Sequence, residues 1–589
     1  MSDGWHPFRT ASVDGLQGKR LDLWRNHRLW FMAESGYLID GFENRPGTHA
    51  WQGEHLGKWL HAATLAYQMT GDERLEESMR SFVERLLATQ DPDGYLGTYA
   101  ADCTFMAMPE NSSVDAVHDD MDASKRKKLH GGWDTWTHRY NLYGLLTYER
   151  AFPDERIVDA CRRMADLLIE VYGEEKYDLT EYGTRKGISA TTLIESIVML
   201  HERTQDQKYL DFAEHIVNLM EGNPALKLMS IMLQGGAVVH PGEGKGYQLM
   251  ANLLGFITLH RCTGRTDYLD AAINGWREIK EKHILVTGGS WSRKTDYNAN
   301  CECFAHVEDF DPQKVSVEGC CDTTWIQLCL HLFEITGESK YIDEAEVTLY
   351  NSLYGHQHAD GVKWCYYTAP NQAKLPYSDK IQCCHSSMPR AMEMVAANLV
   401  GQFDGHLTIA TLSPCSAELT ERFGGGRLVV KSGFPKNASA EIHFETECSQ
   451  SFVCEFRLPA GTVLNTLSVN GETIQPTRND RGFYEFKRLW QNGDVLKVDA
   501  EFELHSHVQS GENGKHWVAF SCGPNALAQK ITTAPTDEPF AELSAEEVLR
   551  KLRPSADGSF LVQGTDILLM PFLRTCTEES GPRTYWRCK

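Results

Sequence analysis

Apolar residues recur at three- and four-residue steps through the first two thirds of the chain, as in "LDLWRNHRLW" (21–30), "SFVERLLATQ" (81–90) and "VTLYNSLYGH" (347–356). That step is the helix period, with one buried stripe per helix. One punctuation repeats within it: "AYQMTGDERLEES" from Ala66, "YERAFPDERIVDA" from Tyr148, "HERTQDQKYLDFA" from His201, "HRCTGRTDYLDAA" from His260 and "FEITGESKYIDEA" from Phe333. Each reads as the end of one helix, a short polar turn and the start of the next. The starts lie 53 to 82 residues apart, too long and uneven for a thin solenoid of identical units. Helical hairpins with insertions are expected. Such hairpins either close into a toroid around a central cavity or stack openly, and the period alone leaves both open.

After about residue 400 the period changes to two. "HLTIATLSP", "RLVVKSGFP", "AEIHFETE", "TLSVNGETI" and "DVLKVDAEFELH" alternate apolar and polar positions between Pro, Gly and Asn-Gly turns, which implies short strands in a β-sandwich. The expected organisation is a mainly α domain over residues 1–400 and a C-terminal β-sandwich domain, or domains, over 401–589, with the boundary between Gly401 and Gly405.

Composition narrows the partners. The chain has 589 residues, 42% hydrophobic and 24% charged, with a formal net charge of -23. An extended basic surface is hard to assemble from that balance, so nucleic acid and acidic membrane are poor partners, and a small or neutral substrate is expected. The N-terminus "MSDGWHPFRT" lacks the basic start and apolar run of a signal peptide, and no apolar run reaches membrane-spanning length. A cytoplasmic location is the expectation.

Eight of the 17 cysteines fall between residues 301 and 384. In a reducing compartment that clustering favours a metal site or reactive thiols over structural bridges. The stretches concerned are "NANCECFAH" with Glu302, "VSVEGCCDTTW" with Glu318, Cys320 and Cys321, and "QCCHSS" with Cys383 and Cys384. Glu318, Cys320, Cys383 and Cys384 would offer zinc three sulfurs and one oxygen. Adjacent side chains diverge in regular structure, so an irregular loop, framed by Pro376 and Pro389, is expected to bring Cys383 and Cys384 to one ion. Glu318 and Cys320 converge best at a helix N-terminus. Buried free thiols are the alternative reading of the cluster, preferred for Cys329 and Cys365; Cys301 and Cys303 stand as candidate extra ligands. His138, His201 and His260 read as satisfied or surface histidines.

The order of helical repeats, "CECF", "VEGCCDTTW", "YYTAP", "CCHSS" and then a β-sandwich resembles glycoside hydrolase family 127, whose members include β-L-arabinofuranosidases. The glutamate sixteen positions before the Glu-x-Cys is its most specific element. The resemblance covers nearly the whole chain and implies an (α/α)6 barrel with zinc held by Glu318, Cys320, Cys383 and Cys384. It further implies Cys383 as nucleophile and Glu302 as general acid/base. Tyr367 matches a tyrosine near the sugar, Tyr247 falls where some relatives carry a substrate histidine, and Trp133 and Asp134 sit near a second such position. "GISATTLIE" offers no histidine at a third. The pair is followed by His385, Ser386 and Ser387 where relatives commonly have prolines, and Cys321 is an additional thiol.

The function expected is a zinc-dependent retaining glycosidase releasing L-arabinofuranose from short plant-derived β-L-arabinofuranosides, with a homodimer as a possible assembly. Two alternatives stand beside it: the same machinery acting on another sugar, and a carbohydrate-binding protein whose zinc is structural.

Overall fold

The computed structural model describes residues 4–105, 132–293 and 302–589. Six inner helices form the centre of the N-terminal half: α1 (Glu54–Thr70), α2 (Asp134–Ala151), α3 (Ile194–Thr204), α4 (Gly246–Thr263), α5 (Gly319–Thr336) and α6 (Cys383–Ala396). Each packs on the next, and α6 packs back on α1, so the ring closes. The toroid is therefore closed.

The repeated punctuation is the turn from each inner helix to an outer one. Gly71, Gly264 and Gly337 end α1, α4 and α5 in the left-handed conformation that glycine adopts without a Cβ penalty. Asp72, Asp154 and Asp206 then cap the outer helices Glu73–Ala88, Glu155–Tyr172 and Gln207–Gly222, each accepting from a backbone N–H two residues on. Such a cap is worth about 1 kcal/mol. Outer helices bury one stripe, as Ile157, Val158, Cys161, Met164 and Leu168 do in Glu155–Tyr172. Inner helices are buried nearly all round, which explains their weaker amphipathic pattern. The N-terminal helical run from Gly15 to Glu34 covers α6, with Trp24 and Arg25 both donating to the buried Glu393.

Beyond the barrel lie a six-stranded and a seven-stranded sheet, stacked through aromatic pairs such as Phe444 on Trp490, with ring centroids 4.0 Å apart. The chain's own start joins them: Trp5–Pro7 pairs with Val400–Phe403, and Thr10–Val13 with Cys415–Glu418. An eight-stranded sheet from Leu504 to Cys588 follows. The helical hairpins and β-sandwich expected from the period are present, and the hairpins close into the barrel that the family resemblance implied. Among the described residues no helix is long and apolar enough to cross a membrane.

Candidate active site

All six inner helices start on the same side of the barrel. A cavity of about 540 Å³ opens there, lined from the first turn of each helix or the loop before it. Trp51 and Glu54 come from α1, Trp133 and Trp136 from α2, Arg185 from the approach to α3, Lys245 and Tyr247 from α4, Glu318 from the cap of α5, and Cys383 from the first position of α6. Helix N-termini carry the positive end of the macrodipole. Five of them, those of α1, α2, α4, α5 and α6, open on one space, which favours carboxylates and thiolates around it.

The thiols meet where two of these N-termini abut. Strand Val315–Glu318 runs directly into α5 with Glu318 as its N-cap, as its spacing suggested. Gly319 permits the approach: a Cβ there would lie 2.5 Å from Met388 Sδ on α6. Cys383 and Cys384, expected in an irregular loop, are instead the first two residues of a regular helix capped by Gln382, with Pro389 inside it. The helix serves because the partners arrive from different sides. Cys383 Sγ lies 3.1 Å from Cys320 Sγ, while Cys384 Sγ lies 3.3 Å from the Cys320 backbone N–H and 3.7 Å from Glu318 Oε1.

Ligand atoms of Glu318, Cys320 and Cys383 all lie within 4.8 Å of one another, with the Cys384 sulfur beside them. Three thiols and one buried carboxylate form a set that a soft-accepting divalent metal can use. Burial pushes the Cys320 thiol up, but hydrogen bonds from Cys383 and Cys384 and the Lys58 ammonium outweigh it and bring it down to about 6. Cys383 and Cys384 are raised, chiefly by burial. Burial raises Glu318 to about 7. A second group, His406, Glu455 and Glu485, lies in the sandwich; there Arg481 at 2.7 Å and Asn479 at 3.1 Å already occupy Glu455, and the cluster is an ion-pair network.

Glu302 reaches the same cavity from a strained loop. Its φ is +62°, a region that costs a non-glycine residue about 1 kcal/mol or more. The surrounding backbone holds it there: Gly246 N–H donates to Glu302 O at 3.0 Å, Phe304 N–H to Gly244 O at 2.8 Å, and Cys303 bridges Lys245. Its carboxylate accepts from Lys245 Nζ on one oxygen and from Tyr367 Oη on the other.

Tyr247 and Trp133 line the cavity, Tyr247 sharing a hydrogen bond with Tyr140. Tyr366 forms wall where Tyr367 instead holds Glu302. Asp134 is not among the lining side chains. It accepts from the backbone N–H groups of Phe105 and Thr135, and burial raises it to about 7. Cys321 donates to Glu318 Oε2 at 3.3 Å, Cys303 is a buried free thiol, and Cys301 lies outside the described residues. Cys329 and Cys365 are buried free thiols. His201 and His260 each face the carbonyl five residues on, and His138 that of Asp134. Sequence reasoning missed Glu54, Lys58, Lys245, Arg185 and Trp51. Its available signal was a Glu and a Lys four apart inside the apolar run of α1.

The chain matches the model of the β-L-arabinofuranosidase GH127 catalytic domain over residues 24–397 and that of the GH127 middle domain over 411–502. A non-reducing end β-L-arabinofuranosidase of Bifidobacterium longum subsp. longum is 20% identical over 539 residues, spanning 84% of this chain and 77% of that one. Among solved structures, a GH127 β-L-arabinofuranosidase from Geobacillus stearothermophilus T6 superposes with a TM-score of 0.76 at 16% identity, covering 98% of this chain and 100% of that one. Another GH127 β-arabinofuranosidase gives 0.73 at 18% identity, over 99% and 98%. With the catalytic and middle modules matched in order on a closed helical barrel and its sandwich, the chain belongs to glycoside hydrolase family 127 and is a glycosidase.

Proposed function

We propose that this protein is a retaining glycosidase that releases L-arabinofuranose from β-L-arabinofuranosides, with Cys383 as nucleophile and Glu302 as general acid/base. The observation that carries the reading is that the Cys383 sulfur and the Glu302 carboxylate face one cavity at the N-terminal mouth of the barrel. The named specificity of the relatives supplies the sugar.

Glu318, Cys320, Cys383 and Cys384 would hold a zinc ion, for which their donor chemistry and proximity fit. Bound zinc keeps thiols ionised and oriented at neutral pH. Cys383 attacks the anomeric carbon, forming a C–S bond, while Glu302 delivers its proton to the departing glycosidic oxygen. Glu302 then takes a proton from water, which attacks the same carbon and releases Cys383. Two inversions give net retention. Tyr367 and Lys245 fix the carboxylate, and Trp51, Trp133 and Trp136 offer faces for the sugar and its aglycone. The described cysteines are all free thiols, which suits a reducing compartment.

The wall carries Trp133 and Tyr247 where relatives are expected to place histidines, and this favours a second reading in which the same machinery takes another glycone. The test combines metal analysis with a panel of aryl furanosides and pyranosides. One zinc per chain, lost in Cys384→Ala, with fastest turnover of the β-L-arabinofuranoside, is the expected result. A reduced, chelator-free preparation without zinc sinks the metal assignment, and preference for another glycone selects the second reading.

A further inference from the structure

Helix α1 is buried on nearly every side, and its first turns bury Glu54 and Lys58 with no exposed side-chain surface. The two form an ion pair of 3.0 Å. The ammonium also lies 3.2 Å from Cys383 Sγ and 3.4 Å from the Cys383 carbonyl oxygen. Its other sides face the rings of Tyr140 and Tyr247, at 4.8 and 5.4 Å from their centroids. Trp136 Nε1 donates to Glu54 and fixes the carboxylate in turn. Apolar residues would pack α1 without the desolvation cost of a buried ion pair. Nothing in the helix requires the pair, whereas the sulfur beside it has a use for a cation.

We propose that Lys58 is a further catalytic residue, donating a charge-assisted hydrogen bond to the Cys383 sulfur as that sulfur leaves the sugar, and that Glu54 is the positioning residue that aims it. The inference rests on Cys383 being the nucleophile. In the first half-reaction a sulfur electron pair forms the C–S bond, the glycosidic C–O bond breaks, and the oxygen takes the Glu302 proton. Negative charge disappears from sulfur, so the Lys58 bond weakens and this step gains nothing from it. In the second, water oxygen bonds to the anomeric carbon, the C–S pair returns to sulfur, and the Glu302 carboxylate takes the water proton. Charge builds on sulfur beside an ammonium that keeps its three protons throughout. Only the second step is favoured, because only there is the interaction stronger in the transition state than before it.

Lys58→Met removes the cation at nearly constant length, and the double variant Lys58→Met with Glu54→Gln removes both charges so that no carboxylate is left buried alone. Each is mixed with 4-nitrophenyl β-L-arabinofuranoside, quenched at intervals and analysed by mass spectrometry of intact protein and of the Cys383 peptide, with metal content measured alongside. The expected result is wild-type metal content, a retained burst of nitrophenolate, accumulation of a pentosyl adduct on Cys383, and steady-state turnover lower by about 10- to 100-fold. An adduct that decays at the wild-type rate overturns the role of Lys58 and leaves the nucleophile standing. Metal loss in both variants overturns it too, making Lys58 a support of the ligand cluster. A burst of nitrophenolate with no adduct on Cys383 overturns the nucleophile assignment, and this inference with it.

Discussion

Helices α5 and α6 each carry two polar positions seven residues apart, the buried Cys320 and Gln327 on one, the half-buried Cys383 and the buried Arg390 on the other. At 1.5 Å per residue these levels are separated by about 10 Å along the barrel axis. At the lower level Arg390 donates to Gln327 Oε1 at 3.1 Å and to His61 at 2.9 Å, Gln327 donates to Glu195 Oε1 at 2.8 Å, and Arg139 donates to Glu195 Oε2 at 2.9 Å. Both oxygens of Glu195 are engaged, and the guanidinium planes of Arg139 and Arg390 lie over Tyr140. At the upper level Cys383, Glu318 and Glu302 face a cavity at the N-terminal ends of the inner helices. Both levels are buried and charged. What separates function from structure is convergence on open space, since burial and charge are common to the two.

The comparison breaks first at the upper level. Cys383→Ser and Glu302→Gln are expected to lower turnover of the aryl arabinofuranoside by about three orders of magnitude or more, since each removes a group the reaction passes through. Thermal unfolding should stay close to wild type. Near-normal turnover in either variant removes the mechanism, while collapse of the fold in both would place the upper level among structural networks.

The lower level should answer in the opposite way. Arg139→Met leaves Glu195 without its buried cation, and the expected loss is about 3–5 kcal/mol of stability, read as a fall in unfolding temperature. Turnover per folded molecule should change by no more than a few-fold. Adding Glu195→Gln should recover much of the stability, because the remaining pair is neutral. A large drop in turnover at unchanged stability would mean that the lower level also works in catalysis.

The helical hairpins were legible because their signals are local: Gly and Asp punctuation at Gly71-Asp72 and Gly337 sits within a few residues of the turns it makes, whereas closure of the ring was legible only through the resemblance. The thiol cluster was legible through residue type and a resemblance, and Glu302 through the resemblance alone, since its position depends on a left-handed φ and a backbone bridge to Lys245 that no period encodes. The loop expected at Cys383 is a helix because the divergence of adjacent side chains is met by partners on two sides of its N-terminus. Lys58 and Arg185 escaped notice for a related reason. Their partners lie 325 residues away at Cys383 and 58 away at Glu243, and only closure of the ring reveals them.

The finest distinction concerns Lys245, which belongs to the upper level yet is not assigned a step. Burial pushes its ammonium down, but Glu318 and Cys303 outweigh that and hold it above the usual lysine value, so it stays charged beside Glu302. A neighbouring cation favours the ionised carboxylate. The proposed first half-reaction needs the protonated form, so kcat/KM falls as pH rises through that group's titration. In Lys245→Met the carboxylate loses the cation, ionises less readily, and keeps its proton to higher pH. The alkaline limb of kcat/KM should therefore move upward, with the acidic limb and metal content little changed. A limb that stays in place would assign Lys245 to holding the strained Glu302 backbone, as Arg139 holds Glu195, and would move it from the functional level to the structural one.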